Sequence, residues 1–186
     1  MKRLFKRLVK DADCLGLTED GYFSIDDCLI IKQDLLDKVG IDYQSVKAKK
    51  NTEIKNFTSL WNDFFILKEK YPDKVADSQV KVYDVPLDCN REEKTVGLLN
   101  TPVYLYEIDG NYFRFNKEYI DLIEKLIEKN KKKNVNRKIY YFEFTYICRS
   151  RYYDDVDYLK QDVAIMVWYD ENGQILADVS GFKEEE

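Results

Sequence analysis

Tyr152-Tyr-Asp-Asp-Val-Asp157, continued by Tyr158, is the stretch of this chain most able to do chemistry. Asp155 and Asp157 lie two apart, so on an extended backbone they share a side and could hold one Mg²⁺ between them. Nucleases and nucleotidyl transferases that work with two metals use carboxylates in this way. The sequence places no further acid to complete such a site, and adjacent aspartates are also what any solvated loop contains. A second reading uses the tyrosines. Their rings give rigid contact area at low entropy cost, and flanking carboxylates steer a basic partner. On that reading Tyr152, Tyr153, Asp154, Asp155, Asp157 and Tyr158 form a protein-binding patch. Glu143 is the other acid of interest, because it interrupts the aromatic run Ile139–Cys148. If buried, it needs a cation such as Arg114 or a raised pKa; the plainer reading puts it on a wet face or in a structural ion pair.

Much familiar chemistry is missing. The chain has no histidine, which removes Ser-His and Cys-His nucleophile pairs, histidine bases and most zinc sites. Its seven glycines form neither GxGxxG nor a Walker loop, so the usual phosphate cradles are absent. Cys14, Cys28, Cys89 and Cys148 are scattered with no CxxC pair. Cys28 and Cys148 fall on apolar faces and read as small core residues, while Cys14 and Cys89 have no neighbouring base. We expect no cofactor and no metal.

Charge is unevenly spread. The formal net charge is −5, which opposes a general nucleic-acid-coating role. Residues 129–138 nevertheless hold Lys129, Lys131, Lys132, Lys133, Arg137 and Lys138 without one acid, whereas residues 151–186 are strongly acidic. Seven of the fifteen tyrosines fall between Tyr140 and Tyr169, close to the acids.

The elements that must position these residues can be read from periodicity. Leu4, Phe5, Leu8, Val9 and Ala12 share one helical face with Lys and Arg behind it, which suits a packed terminal helix with a solvated back. Its basic start lacks the apolar core and cleavage site of an export signal, and no stretch is apolar enough to span a membrane. With the scattered thiols, this leads us to expect a cytoplasmic protein with no membrane partner. Ser24 to Gly40 reads as a second helix, with Ser24 as N-cap, apolar Cys28, Leu29, Leu35, Leu36 and Val39, and Gly40 as its left-handed stop. A third helix is expected from Phe57 to Tyr71, ended by Pro72.

Beyond Asp77 the pattern changes. Val80, Val82 and Val85 predict a strand, residues 88–100 a loop, and Pro102–Phe115 a hairpin turning at Asp109-Gly110. Lys117 to about Lys131 reads as a helix through Tyr119, Ile120, Ile123, Leu126 and Ile127. Ile139–Cys148 and Asp162–Tyr169 predict long strands, and a two-residue Asn172-Gly173 turn joins the second to Gln174–Ser180. The expected fold is therefore α+β: a helical part at 1–75, then at 76–186 an antiparallel sheet of about five to six strands with one helix packed on it.

By physical class, we expect a small acidic binding module of the inhibitor or immunity type. Such proteins block a basic, nucleic-acid-handling partner and are often carried by phage or other mobile elements. Two alternatives stand beside it. One is nucleic-acid binding through Lys131, Lys132, Lys133 and Arg137, helped by the basic positions at 2–10 and 47–55. The other is a metal-dependent enzyme built on Asp155, Asp157 and Glu143.

Overall fold

The structure is a computed structural model that describes residues 1–18, 20–26, 28–46, 55–56, 79–149 and 156–184; for 55–56, 79–80, 142–149 and 156–162 it describes the backbone alone. In chain order the elements are α1 (Lys2–Asp11), β1 (Leu15–Leu17), β2 (Tyr22–Ile25), β3 (Leu29–Lys32), α2 (Gln33–Asp37), β4 (Lys55–Asn56), β5 (Gln79–Asp84), β6 (Arg91–Val96), β7 (Thr101–Ile108), β8 (Asn111–Asn116), α3 (Lys117–Lys129), β9 (Asn136–Arg149), β10 (Val156–Tyr169) and β11 (Ile175–Glu184). The helix expected at 57–71 lies outside the described residues. No helix among those described is long and apolar enough to cross a membrane.

The described strands form one sheet, antiparallel except where β1 meets β4. Its order is β4-β1-β2-β3-β11-β10-β9-β5, with a branch in which β8 pairs with β11, β7 with β8 and β6 with β7. The branch point is β11. One edge pairs with β10 throughout; the other pairs with β3 at Ala177–Val179 and then with β8 at Gly181–Glu184. Between these two segments the Ser180 amide donates to the Cys28 carbonyl at 2.8 Å, so the edge has no unpaired gap there.

Register and burial define the two faces. Phe23, Ile31, Ala177, Met166, Trp168, Ile139, Tyr106 and Phe115 belong to one core with Phe5, Leu8 and Val9 of α1, Leu35 and Leu36 of α2, and Ile120, Leu122, Ile123 and Leu126 of α3. Each large side chain fully buried here contributes about 1.5–3 kcal/mol. Cross-strand pairs alternate in size on this face: Trp168 opposite Ala177, and Ala164 opposite Gly181. The opposite face of the central strands is also buried, at Ile30, Val163, Ile165 and Val167.

α3 forms where its stripe predicts. The Asn116 side chain caps it by accepting from the Glu118 amide at 2.9 Å and the Tyr119 amide at 3.4 Å. At the other end Asn130 donates to the Leu126 carbonyl at 2.8 Å and the Leu35 carbonyl at 3.0 Å, which ties α2 to α3. Likewise α1 buries its apolar stripe and leaves its basic residues in solvent.

Several expectations need correction. Eleven strands are described where about five to six were expected, and three helices, not one, pack on the sheet. Ser24 does not cap a helix. It lies in β2, paired with Ile30 of β3, and Asp26, read as part of a helix start, follows the end of this strand. Asp26 adopts φ 53° there, and its carboxylate accepts from the Asp13 and Cys14 amides at 2.7 and 2.9 Å. The apolar positions that matched a helical period are divided between β3 and the short α2; only the stop at Gly40, with φ 63°, remains as expected.

Cys28, placed on an apolar face by that period, is exposed in the turn. Residues 91–96, expected as loop, are strand β6, because β7 supplies a full pairing partner for an otherwise charged sequence. The β10–β11 connection is a three-residue loop rather than a two-residue turn: the Asp170 amide donates to the Gln174 carbonyl, and Gly173 takes φ 75°.

Gly181 marks the place where β11 passes from β3 to β8. A Cβ at this position would overlap the Arg114 carbonyl oxygen and the Phe115 ring. Gly181→Ala should therefore cost about 2–3 kcal/mol through overpacking against backbone that cannot retreat. Urea unfolding followed by circular dichroism measures this; an unchanged midpoint would mean that the strands separate there freely.

Candidate functional site

The residues singled out by sequence are described only in part. Tyr152, Tyr153, Asp154 and Asp155 lie outside the described residues. Asp157 and Tyr158 are in β10, paired with Cys148 and Ile147 of β9, and Glu143 is paired with Asp162 and Gln79. From Phe144 to Arg149, β9 pairs with β10 alone among the described strands, so Asp157 and Tyr158 belong to the far part of a two-stranded ribbon. Among the described residues no group of three or more acidic, thiol or imidazole side chains is placed to hold a metal.

Lys131, Lys132 and Lys133 follow the end of α3, and Lys131 takes the left-handed stop position at φ 52°. Lys131 and Lys133 are exposed and Lys132 is half-buried. Arg137 departs from this basic group. It is only 4% exposed, and its guanidinium donates to the Pro86 carbonyl and lies 3.5 Å from Glu124. Arg91 grips the same carboxylate with both terminal nitrogens, at 2.6 and 3.0 Å, and donates to the Tyr106 hydroxyl at 3.2 Å. Its guanidinium stacks 4.0 Å from the centre of the Tyr104 ring. These bonds hold Arg91 charged, the Glu124 hydrogen bonds most of all. Burial pushes the Tyr106 phenol up, so it stays neutral between the two cations. The network fastens β6, β7 and β9 to α3. A buried guanidinium is tolerated because a carboxylate from another element reaches it.

Beside this network lies an open groove of about 840 Å³, between the end of β5, the start of β9 and the β10–β11 loop. Its lining includes Tyr140 and Tyr169, whose hydroxyls share a hydrogen bond of 2.6 Å. The Tyr169 phenol is pushed up first by burial, then by its bond to Tyr140 and by the nearby Asp178, so it remains protonated. Leu87, 67% exposed, forms an apolar shoulder. Asp84 and Glu171 give the rim its acidity, while Lys138 is 3.5 Å from Asp84. Asp170 serves the loop instead: its Oδ1 accepts from the Asn172 and Gln174 amides, each at 2.9 Å, and these bonds hold its carboxyl below the usual range. These two bonds hold the β10–β11 loop in shape.

Sequence reasoning missed this groove, since Asp84, Leu87, Tyr140 and Glu171 come from three separate segments. It also missed Leu98 and Leu99 in the β6–β7 turn, which are fully exposed at 103% and 90%. Gly97 and Asn100 were the signals for that turn; both take positive φ.

Behind the groove sits Asp178 of β11, in register with Ile30 and Val167. It is 6% exposed, has no hydrogen bond or ion pair among the described residues, and burial alone pushes its carboxyl up to about 7. In the unfolded chain this group loses its proton near pH 4, whereas the folded chain keeps it until about 7. Between those values the unfolded state binds fewer protons, so stability falls as pH rises through the window and levels off above it. The integrated loss is on the order of 4 kcal/mol. The depressed carboxyls of Asp34, Asp121 and Asp170 act in the opposite sense, and their window lies below about pH 4. Asp178→Asn should flatten the slope between pH 4.5 and 7 and stabilise the protein at pH 8. Denaturant titrations across that range test this; an equal slope in both proteins would place the titration elsewhere.

No protein-family model matches the chain, and neither the curated proteins nor the solved structures compared with it gave a match, so the functional reading rests on geometry.

Proposed function

We propose that the protein acts by binding another protein, and that the groove between β5, β9 and the β10–β11 loop receives a basic segment of it. The observation that carries this is the groove's make-up: two hydrogen-bonded tyrosines, an exposed leucine and a rim that bears Glu171 and the Asp84–Lys138 pair. Its volume suits a few side chains of an incoming segment. Tyrosine and leucine provide desolvated anchors, and the rim acids steer a cationic partner. Among the described residues of the groove no nucleophile is aligned with a base. The acidic and aromatic character of the sequence Tyr152–Tyr158 offers the same chemistry a second contact. A binding module of this kind suits an inhibitor or immunity-type role, in which a basic, nucleic-acid-handling enzyme is covered.

Nucleic-acid binding draws less support, because Arg137 is spent on Glu124 and Pro86 and only Lys131, Lys132 and Lys133 of that group are left to face a phosphate.

Size-exclusion chromatography and calorimetry with candidate basic nucleases test the reading through two variants. Asp84→Lys with Glu171→Lys and Leu87→Ala alters the groove; Asp154→Lys with Asp155→Lys and Asp157→Lys alters the acidic tyrosine stretch. The groove variant should weaken a complex at least about 10-fold, the equivalent of ~1.4 kcal/mol. Undiminished affinity in both variants would remove both surfaces from consideration.

A further inference from the structure

The β6–β7 hairpin ends in a feature that the groove leaves unused. The Asn100 amide donates to the Gly97 carbonyl at 3.2 Å, and Gly97 and Asn100 take φ of 72° and 50°, so the turn is a built one. Leu98 and Leu99 occupy its two central positions, where polar residues are the rule, and both stand fully in solvent. β6 is an edge strand whose residues are almost all exposed.

The surroundings of this tip are cationic. Met1, Arg3 and Leu4 of α1 line a cleft with Glu93 and Pro102 of the hairpin, which brings the start of α1 beside it. The acids at this end are matched: Glu92 by Lys94 at 3.1 Å, Glu93 and Asp121 by Lys117 at 3.8 and 2.8 Å, and Glu118 by Arg7. Arg3, Lys10 and Lys125 have no ion pair among the described residues, whereas Lys2 brings its Nζ beside Gly40 and Lys6 acts on Asp42. The apolar stripe of α1 is in the core, so only its basic back faces outward.

We propose that this end of the molecule docks on an anionic lipid surface, with Leu98 and Leu99 entering the acyl boundary and the unmatched cations of α1 meeting the headgroups. Leucine neither stacks on bases nor bonds to phosphates, so a nucleic acid leaves the tip without a role. A protein hot spot is ringed by further contacts, whereas side chains this exposed have no ring around them. A soft bilayer needs none. It takes aliphatic side chains below and cations at headgroup level. This surface adjoins the N-terminal end of α3, while the groove network uses Glu124 near its other end. The proposal does not rest on the groove.

Flotation of the full chain with vesicles of phosphatidylcholine, with and without phosphatidylserine, tests it. Binding is expected only with phosphatidylserine and should weaken with added salt. Leu98→Asp with Leu99→Asp should lower it by about 10-fold or more, with an unchanged Tm because these side chains touch nothing. Arg3→Glu with Lys10→Glu should do the same. Three outcomes overturn the proposal: no association with phosphatidylserine vesicles, association that the leucine variant retains, or salt-sensitive duplex binding lost only in the charge variant.

Discussion

Strand β11 carries two different partners along one edge while its middle is buried on both faces, and the architecture follows from that demand. A buried backbone cannot leave amides or carbonyls unpaired, so the edge must be continuous as it passes from β3 to β8. The Ser180 bond to Cys28 and the close approach at Gly181 keep it so. Because both branches share this strand, α1, α2 and α3 come to one side and pool their apolar stripes in one core. The small residues Ala164, Ala177 and Gly181 leave room on that side for helices and for the bulk of Trp168.

The charge pattern follows from the same arrangement. α3 has acidic and basic residues along its length, and the sheet distributes partners to them unevenly. Near its C-terminal half, Glu124 gathers Arg91 and Arg137 and so joins three strands. Near its start, Lys117 and Arg7 neutralise the acids, which leaves the back of α1 with cations to spare. A net charge of −5 therefore conceals two different surfaces: a groove with tyrosines and charges of both signs, and a hairpin tip of two exposed leucines.

Asp178 does not share in this matching. Its neighbours in register are Ile30 and Val167, and burial without a partner raises its pKa. Unlike Arg137, it has no opposite charge brought to it by another described element. Two ionisable groups at similar depth thus differ in their surroundings: Arg137 has a carboxylate from α3 beside it, while Asp178 has burial alone, which pushes its carboxyl up.

Long and strongly periodic segments were legible. The stripe and cap of α3, the Asp109-Gly110 hairpin, and the β-branched and aromatic runs of β9, β10 and β11 each carry enough local preference to set their own conformation. Short segments were not. Leu29–Lys32 fitted a helical period by coincidence, because two small elements laid end to end can mimic one. The charged residues of β6 have no strand preference of their own and take that form only because β7 lies alongside. The same limit governs the site. Local sequence determined that the chain is rich in tyrosine and acid, lacks imidazole and has a basic helix at its start. Which of those groups are sunk, matched or left facing solvent was decided by contacts between residues far apart in the chain: Arg137 with Pro86 and Glu124, Tyr140 with Tyr169, and the start of α1 with the β6–β7 hairpin. Burial and ion pairing depend on what another element places within a few ångströms, and a single segment does not contain that information.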